Sequence, residues 1–264
     1  MQTSLKWLLL TAAVAIGGIG SAQATDLPVK APVYKAPALA VPPSWTGWYA
    51  GVNAGYGWGS VGNTVVLDPT TTVPAIDASN HLNGFIGGGQ VGYNYQITPN
   101  SWVAGIEADI QYTNFTGSDS VSGSLPAIFR PGSQFVYSQD QRVDWLATLR
   151  GRLGWTPGDH TFLIYATGGL AVGGVKASNS LSLSGGGPLI AWTGDSSSTR
   201  AGWTVGGGIE ARVAQNWTAK VEYLFYDLGH LNVTGTSVPA SAFVTTTDFE
   251  FRGNIVRAGL NYHF

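Results

Sequence analysis

Apolar and polar residues alternate along eight segments of the chain, at approximately 47–58, 84–96, 101–113, 142–156, 160–173, 201–213, 216–228 and 252–264. Because side chains of a β-strand point alternately to its two faces, this period of two predicts strands with one apolar and one polar face. The short connections are 97–100, 157–159 and 214–215, and the long ones, rich in Ser, Thr, Gly and Asp, are 59–83, 114–141, 174–200 and 229–251. Short turns at one end and long loops at the other predict an eight-stranded antiparallel transmembrane β-barrel.

Aromatic residues mark both ends of the apolar faces. Four segments carry two rings ten positions apart, namely Trp48 and Trp58, Phe85 and Tyr95, Trp102 and Tyr112, Trp145 and Trp155. Ten residues of a tilted strand rise roughly 25 Å, the height of the lipid-facing band of an outer-membrane barrel. The pairs, together with Trp203 and Trp217, therefore predict an aromatic girdle at each rim of the band.

Charged residues within the strand cores fall on the polar face. They are five acids and five bases: Glu107, Asp109, Asp144, Glu210, Glu222, Arg150, Arg152, Arg212, Lys220 and Arg257. A buried charge without a partner is costly, so the balance predicts a network of ion pairs in the lumen. An eight-stranded barrel is just wide enough for side chains to fill it, which argues against a wide general pore.

The N-terminal segment carries export signals. Lys6, the apolar run 7–20 and the small-residue site Ala22-Gln23-Ala24 predict a signal peptide over residues 1–24. Residues 25–46 contain five prolines and predict an extended periplasmic linker, which is either a plain spacer or a contact with peptidoglycan. The barrel then occupies 47–264, in the cell outer membrane of a Gram-negative organism.

Composition agrees with a lipid-facing surface. Charged residues make up 11% of the chain, against about 25% in soluble domains, and the exported chain has no cysteine for a disulfide. The formal net charge is −2, so no basic excess points to nucleic acid. The expected surroundings are outer-membrane lipid and lipopolysaccharide.

Candidate chemistry in the sequence is sparse. The Gly-rich run 87–92 continues into a strand rather than a helix, which argues against a nucleotide site. His81 and His230 lie in predicted extracellular loops and are the only candidates for haem binding; no histidine pair has the spacing of a metal site. Asp227 and His230 lack a recognisable nucleophile, so we expect neither a resident cofactor nor an enzyme.

The C-terminal strand has a distinctive end. Its apolar face ends in the aromatic carboxy-terminal residue and consists of Val256, Ala258, Leu260, Tyr262 and Phe264. Such an ending resembles the signal read by the machinery that assembles outer-membrane barrels, which is therefore an expected partner.

Several motifs together resemble a known family. They are residues 27–32, 45–49, 87–95, 105–111, 150–154, 165–171, 216–223 and 254–262. They are similar to segments of the alphaproteobacterial outer-membrane immunogenic proteins, a group of small porin-like barrels. The resemblance implies an abundant surface antigen linked to envelope integrity. Some members bind haem, but no loop here matches a haem motif.

The sequence thus favours a structural, surface-exposed, non-catalytic barrel. Two alternatives stay open: capture of haem or another small ligand by the long loops, and a narrow porin-like channel that opens when the lumen ion pairs rearrange.

Overall fold

The computed structural model describes residues 44–61, 63–68, 80–97, 101–124, 132–158, 160–185, 188–238 and 244–264. Its strands are β1 (Gly47–Val61), β2 (Asn63–Asp68), β3 (Asn80–Ile97), β4 (Trp102–Ser124), β5 (Gln134–Trp155), β6 (Phe162–Ser184), β7 (Ile190–Arg212), β8 (Trp217–Val238) and β9 (Val244–His263). Within these residues no helix has the length and hydropathy of a membrane span. The signal peptide and nearly all of the linker lie outside the described residues and stay predictions.

The strands close into one antiparallel ring. From β3 to β9 each strand pairs with the next, and β1 pairs with both β3 and β9. β2 follows β1 along the chain and also pairs with β9. β1 and β2 therefore count as one strand position, and the ring has eight strand positions in all. The predicted eight-stranded antiparallel barrel is confirmed.

The strands are longer than the alternation predicted. β4 to β9 are 20–23 residues each, and they take up most of the predicted loops 114–141, 174–200 and 229–251. Those loop assignments were wrong. The outward positions there are mostly Ser or Thr, so the segments lack the apolar outer face by which the other strands were recognised. Inward apolar residues still recur beneath them, such as Tyr137, Leu181 and Val233. The barrel wall therefore continues well beyond the apolar band.

Three β-bulges lie near the upper edge of the band. Strand pairing shifts between Tyr112 and Phe115, between Val143 and Trp145, and between Asp227 and His230. The last shift contains Gly229, whose φ of +72° suits glycine and whose N–H donates to the Asp227 carboxylate at 2.8 Å. Pairing of β7 with β8 is also interrupted between Thr193 and Trp203. Bulges bend strands and change which residues face inward.

The outer wall carries the apolar band. Nine of the ten predicted girdle aromatics are exposed on it, and Trp145 is half-buried because its indole lies over Gly174. Val256, Ala258, Leu260, Tyr262 and Phe264 also point outward. Exposing such an apolar surface to water would cost free energy, whereas the hydrocarbon of a bilayer covers it.

We expect Ile106→Lys to lower the free energy of unfolding by about 2–4 kcal/mol, because it places a cation near the middle of the lipid-facing band, between Trp102 and Tyr112. Ile106 is 58% exposed on this wall. Ser122→Lys, on the outward face of the same strand but beyond the band, should leave stability unchanged. Urea unfolding in lipid vesicles measures both. Equal effects of the two substitutions would contradict the assignment of the band to lipid.

Candidate functional site

Eight of the ten predicted lumen charges meet in one buried cluster. We call this the lumen cluster; its members are Glu107, Asp109, Arg150, Arg152, Glu210, Lys220, Glu222 and Arg257. Their side chains are at most 2% exposed. The cluster contains four carboxylates and four cations, so its formal charges cancel.

The strand register brings opposite charges side by side. Glu107 lies directly across from Arg150, and Glu222 lies across from Arg257. Glu210 is the register partner of Lys220. Because both members of each pair have inward parity, antiparallel pairing alone places them in the lumen.

Glu107 is the centre of the cluster. Its Oε1 accepts hydrogen bonds from Arg150 Nη2 at 2.5 Å and Lys220 Nζ at 2.8 Å. Its Oε2 accepts from the Tyr49 hydroxyl at 2.7 Å and from Arg152 Nη1 at 3.4 Å. A carboxylate with four donors is already fully occupied, which leaves it no free lone pair for a substrate.

Arginines link the other carboxylates. Arg150 donates to Asp109 and to Glu222, both at 2.9 Å. Arg257 donates to Asp109 at 3.0 Å and through Nε to Glu222 at 2.7 Å. Arg152 joins Glu210 at 2.7 Å. Five strands, β4, β5, β7, β8 and β9, are thereby cross-linked through the lumen.

Further polar side chains, which the sequence analysis did not single out, complete the cluster. They are Tyr49, Thr148, Tyr165, Thr218, Asn261 and His263. Each of them occupies a position on the lumen-facing side of its strand. The alternation of faces in the sequence could therefore have identified them. Gly92 makes room for one of them, because a Cβ there would lie 2.3 Å from the Tyr49 hydroxyl.

Two predicted members do not belong to the cluster. Asp144 lies in the β5 bulge and pairs with the exposed Lys176 at 2.7 Å; the bulge reverses the facing of the strand above Leu146, so strict alternation misplaced it. Arg212 is at the short-turn end, where its guanidinium lies over the Trp45 ring, 4.6 Å from the centroid. Its strand ends there, below the level of the cluster.

An apolar layer fills the lumen on the long-strand side of the cluster. It is formed by inward side chains of β3, β4, β5, β6, β8 and β9, among them Leu82, Ile86, Phe115, Val143, Leu146, Val175, Leu224, Tyr226, Leu231, Phe249 and Phe251, each at most 3% exposed. The Phe115 and Tyr226 rings stack across it with centroids 6.4 Å apart. A second apolar group at the strand tips contains Tyr137, Leu181 and Trp192.

The short-turn end is closed as well. Trp45 is fully buried and packs with Val103, Leu163 and Tyr165. Its Nε1–H donates to the carbonyl oxygen of His160 at 2.9 Å. The predicted linker thus ends in a side chain that belongs to the barrel.

The two histidines considered for haem do not meet. Both lie on strands rather than in loops: His81 points outward from β3, and His230 points outward from β8 and contacts Asp248 at 3.2 Å. In the ring, β1 and β9 separate these strands. In the part of the chain that the structure describes, no group of three His, Cys, Asp or Glu side chains could hold a metal ion.

The chain is similar to known outer-membrane proteins. The chain is 35% identical to the 31 kDa outer-membrane immunogenic protein of Brucella melitensis over 97% of its own length and 99% of the relative's. It is 27% identical to the 25 kDa outer-membrane immunogenic protein of the same species over 99% of each. A structural match is the outer membrane protein OprG from Pseudomonas aeruginosa, with 12% identity, a TM-score of 0.45, and coverage of 85% and 99% of the two chains.

The sequence also matches a family profile along nearly its whole length. Residues 13–264 match the outer membrane protein beta-barrel domain. Both the resemblance to the immunogenic proteins and the outer-membrane localisation are confirmed. The chain belongs to the outer-membrane β-barrel family and is a protein of the Gram-negative outer membrane.

Proposed function

We propose that this protein is a sealed, non-catalytic structural barrel that strengthens the outer membrane and raises a rigid β-wall at the cell surface. One observation carries the proposal: the lumen is filled at three successive levels. These levels are the Trp45 group, the lumen cluster and the apolar layer.

The filled lumen argues against a channel. Conduction needs a continuous water path, and the described side chains that form the apolar layer are buried and carry one polar group, the Tyr226 hydroxyl. The inward Thr113 and Gln141 beside this layer are buried as well. Rearranging the lumen ion pairs would open only one of the three levels. The narrow-channel alternative therefore requires a change in all of them.

The lumen cluster is also unsuited to catalysis, because its charged groups are buried and already bound to one another. Its carboxylates and cations hold one another at hydrogen-bonding distance and are nearly inaccessible to solvent. A general acid or base needs an open face toward a substrate. The named relatives are immunogenic proteins, which accords with a non-enzymatic role.

Haem capture has less support than the structural role. Two histidines that share one haem iron must face each other across it, whereas His81 and His230 point outward from strands three positions apart in the ring. Three strand spacings amount to about 14 Å. Haem titration of the folded protein tests this alternative, and a spectral change lost in His81→Ala would revive it.

The upper wall supports a role at the surface. Crossing the bilayer takes about 9–11 residues of a tilted strand, and β4, β6 and β7 each have 23. Roughly half of each strand thus lies beyond the lipid, held together by its own buried apolar group. Within the described residues, the backbone of these outer strand halves is largely paired with neighbouring strands.

A deletion strain tests the proposal. We expect loss of the gene to increase sensitivity to anionic detergent and to large antibiotics that an intact outer membrane excludes. Wild-type protein and the surface variant Arg252→Ala should restore resistance. Normal resistance in the deletion strain, combined with loss of uptake of a particular solute, would contradict the structural role and favour a channel.

A further inference from the structure

A polar cleft lies on the outer wall, just beyond the aromatic girdle. Its volume is about 700 Å³, and outward side chains from five neighbouring strands, β3 to β7, line most of it. Two smaller clefts, of about 320 and 310 Å³, share residues with it. Asp140 lines all three, so together they form one elongated surface around this carboxylate.

The strand register sorts the lining residues into three rows. We name each row by its chemistry. The cation row is Thr116, Arg142, Lys176 and Ser197; the carboxylate row is Ser118, Asp140, Ser178 and Asp195; the hydroxyl row is Ser120, Ser138, Ser180 and Thr193. Within each row, successive residues are direct cross-strand partners.

Of the two cations in the cation row, one has an ion-pair partner among the described residues and the other has none. Arg142 and Lys176 are directly opposite on β5 and β6, and like charges in that arrangement destabilise a sheet. Lys176 is paired with Asp144 at 2.7 Å. In the described part of the chain, the Arg142 side chain has neither a hydrogen bond nor an ion pair, whereas each cation of the lumen cluster has at least one carboxylate partner.

The height of the rows relates them to the membrane. Tyr112 and Trp145 of the upper girdle are register partners. The cation row comes next, with Thr116 four residues beyond Tyr112 and Arg142 three residues beyond Trp145, and the carboxylate row and then the hydroxyl row lie further out. Since girdle aromatics lie at the level of the lipid head groups, side chains of the cation row would be within reach of head-group phosphates, and the other two rows would face the groups attached to them.

We propose that this cleft binds the phosphorylated saccharide head group of an outer-leaflet glycolipid. Arg142 and Lys176 hold a phosphate through charge-assisted hydrogen bonds. Asp140 and Asp195 accept hydrogen bonds from sugar hydroxyls, and the serines both donate to such hydroxyls and accept from them. The site goes beyond the structural role proposed above, because a sealed barrel needs no particular lipid contact.

The phosphate contact is tested with full-length mature protein folded in detergent micelles and titrated with lipopolysaccharide. We expect Arg142→Gln/Lys176→Gln to weaken binding about tenfold or more. Arg252→Gln is the matched control, because Arg252 is an outward, half-exposed cation on β9, outside the cleft, and it should bind as wild type does. Retarded or advanced migration of unheated samples in detergent gels shows that each variant is folded.

Two further sets of binding measurements show which part of lipopolysaccharide the cleft recognises, the phosphate or the sugars. Asp140→Asn should weaken binding of complete lipopolysaccharide but not of lipid A, which lacks the outer sugars. Inorganic phosphate should compete only weakly, whereas dephosphorylated lipid A should bind wild type as poorly as intact lipid A binds the double variant. Equal affinity of wild type and folded double variant for lipopolysaccharide, or equal binding of phosphorylated and dephosphorylated lipid A, would overturn the proposal while leaving the sealed barrel untouched.

Discussion

Replacing Arg257 with alanine should lower the free energy of unfolding by about 3–5 kcal/mol, the cost of leaving buried charges without their partner. Arg257 is fully buried and lies 2.6 Å from Glu222 and 3.0 Å from Asp109. Its loss leaves the lumen cluster with four carboxylates and three cations. Urea unfolding in lipid vesicles, followed by tryptophan fluorescence, measures the change.

Arg252→Ala is the matched control for this prediction. It removes the same side chain from the same strand, but Arg252 is 50% exposed and pairs with Glu250 at 3.2 Å. An exposed ion pair contributes about 0–1 kcal/mol, so the variant should unfold almost as wild type does. If the two variants lost equal stability, the lumen cluster would not be the buried, mutually dependent network described here.

Replacing Trp45 with alanine should cost about 3–5 kcal/mol, the usual range for emptying a buried aromatic site. The side chain is fully buried and also loses its hydrogen bond to the His160 carbonyl. Trp45→Phe keeps most of the ring volume and removes the donor, so it should cost distinctly less. The same unfolding measurement compares the two variants.

This prediction separates two views of the segment before β1. If residues up to 46 are only a spacer, as the proline content suggests, Trp45→Ala will unfold as wild type does. If Trp45 closes the short-turn end of the barrel, the loss will approach that of Arg257→Ala. A loss near zero would remove one of the three levels on which the sealed lumen rests.

The strand alternation predicts much of the barrel because lipid and lumen impose opposite demands on successive residues. Glu107, Arg150 and Arg257 could be placed inward on parity alone, since the strands around them are regular. Asp144 could not, because a bulge has no fixed sequence signature and shifts the pattern by one residue. Gly229, with its positive φ, is the clearest local sign of such a shift.

The extent of the strands was harder to predict. Beyond the lipid no apolar face is required outside, so Ser and Thr occupy the outward positions and the segments read as loops. Tyr137 and Trp192 belong to an inner apolar group, but their spacing is too sparse to indicate one. The polar cleft depends on cross-strand register, such as Arg142 beside Lys176, which only the paired strands reveal.

The most direct test of the sealed lumen is single-channel recording in a planar lipid bilayer, with mature protein shown to be folded by its heat-dependent mobility. We predict no conductance steps for the wild type, and none for Arg150→Ala, because the apolar layer and the Trp45 group still close the lumen when the cluster loses a cation. Stable, reproducible open steps of the wild-type protein would contradict the account.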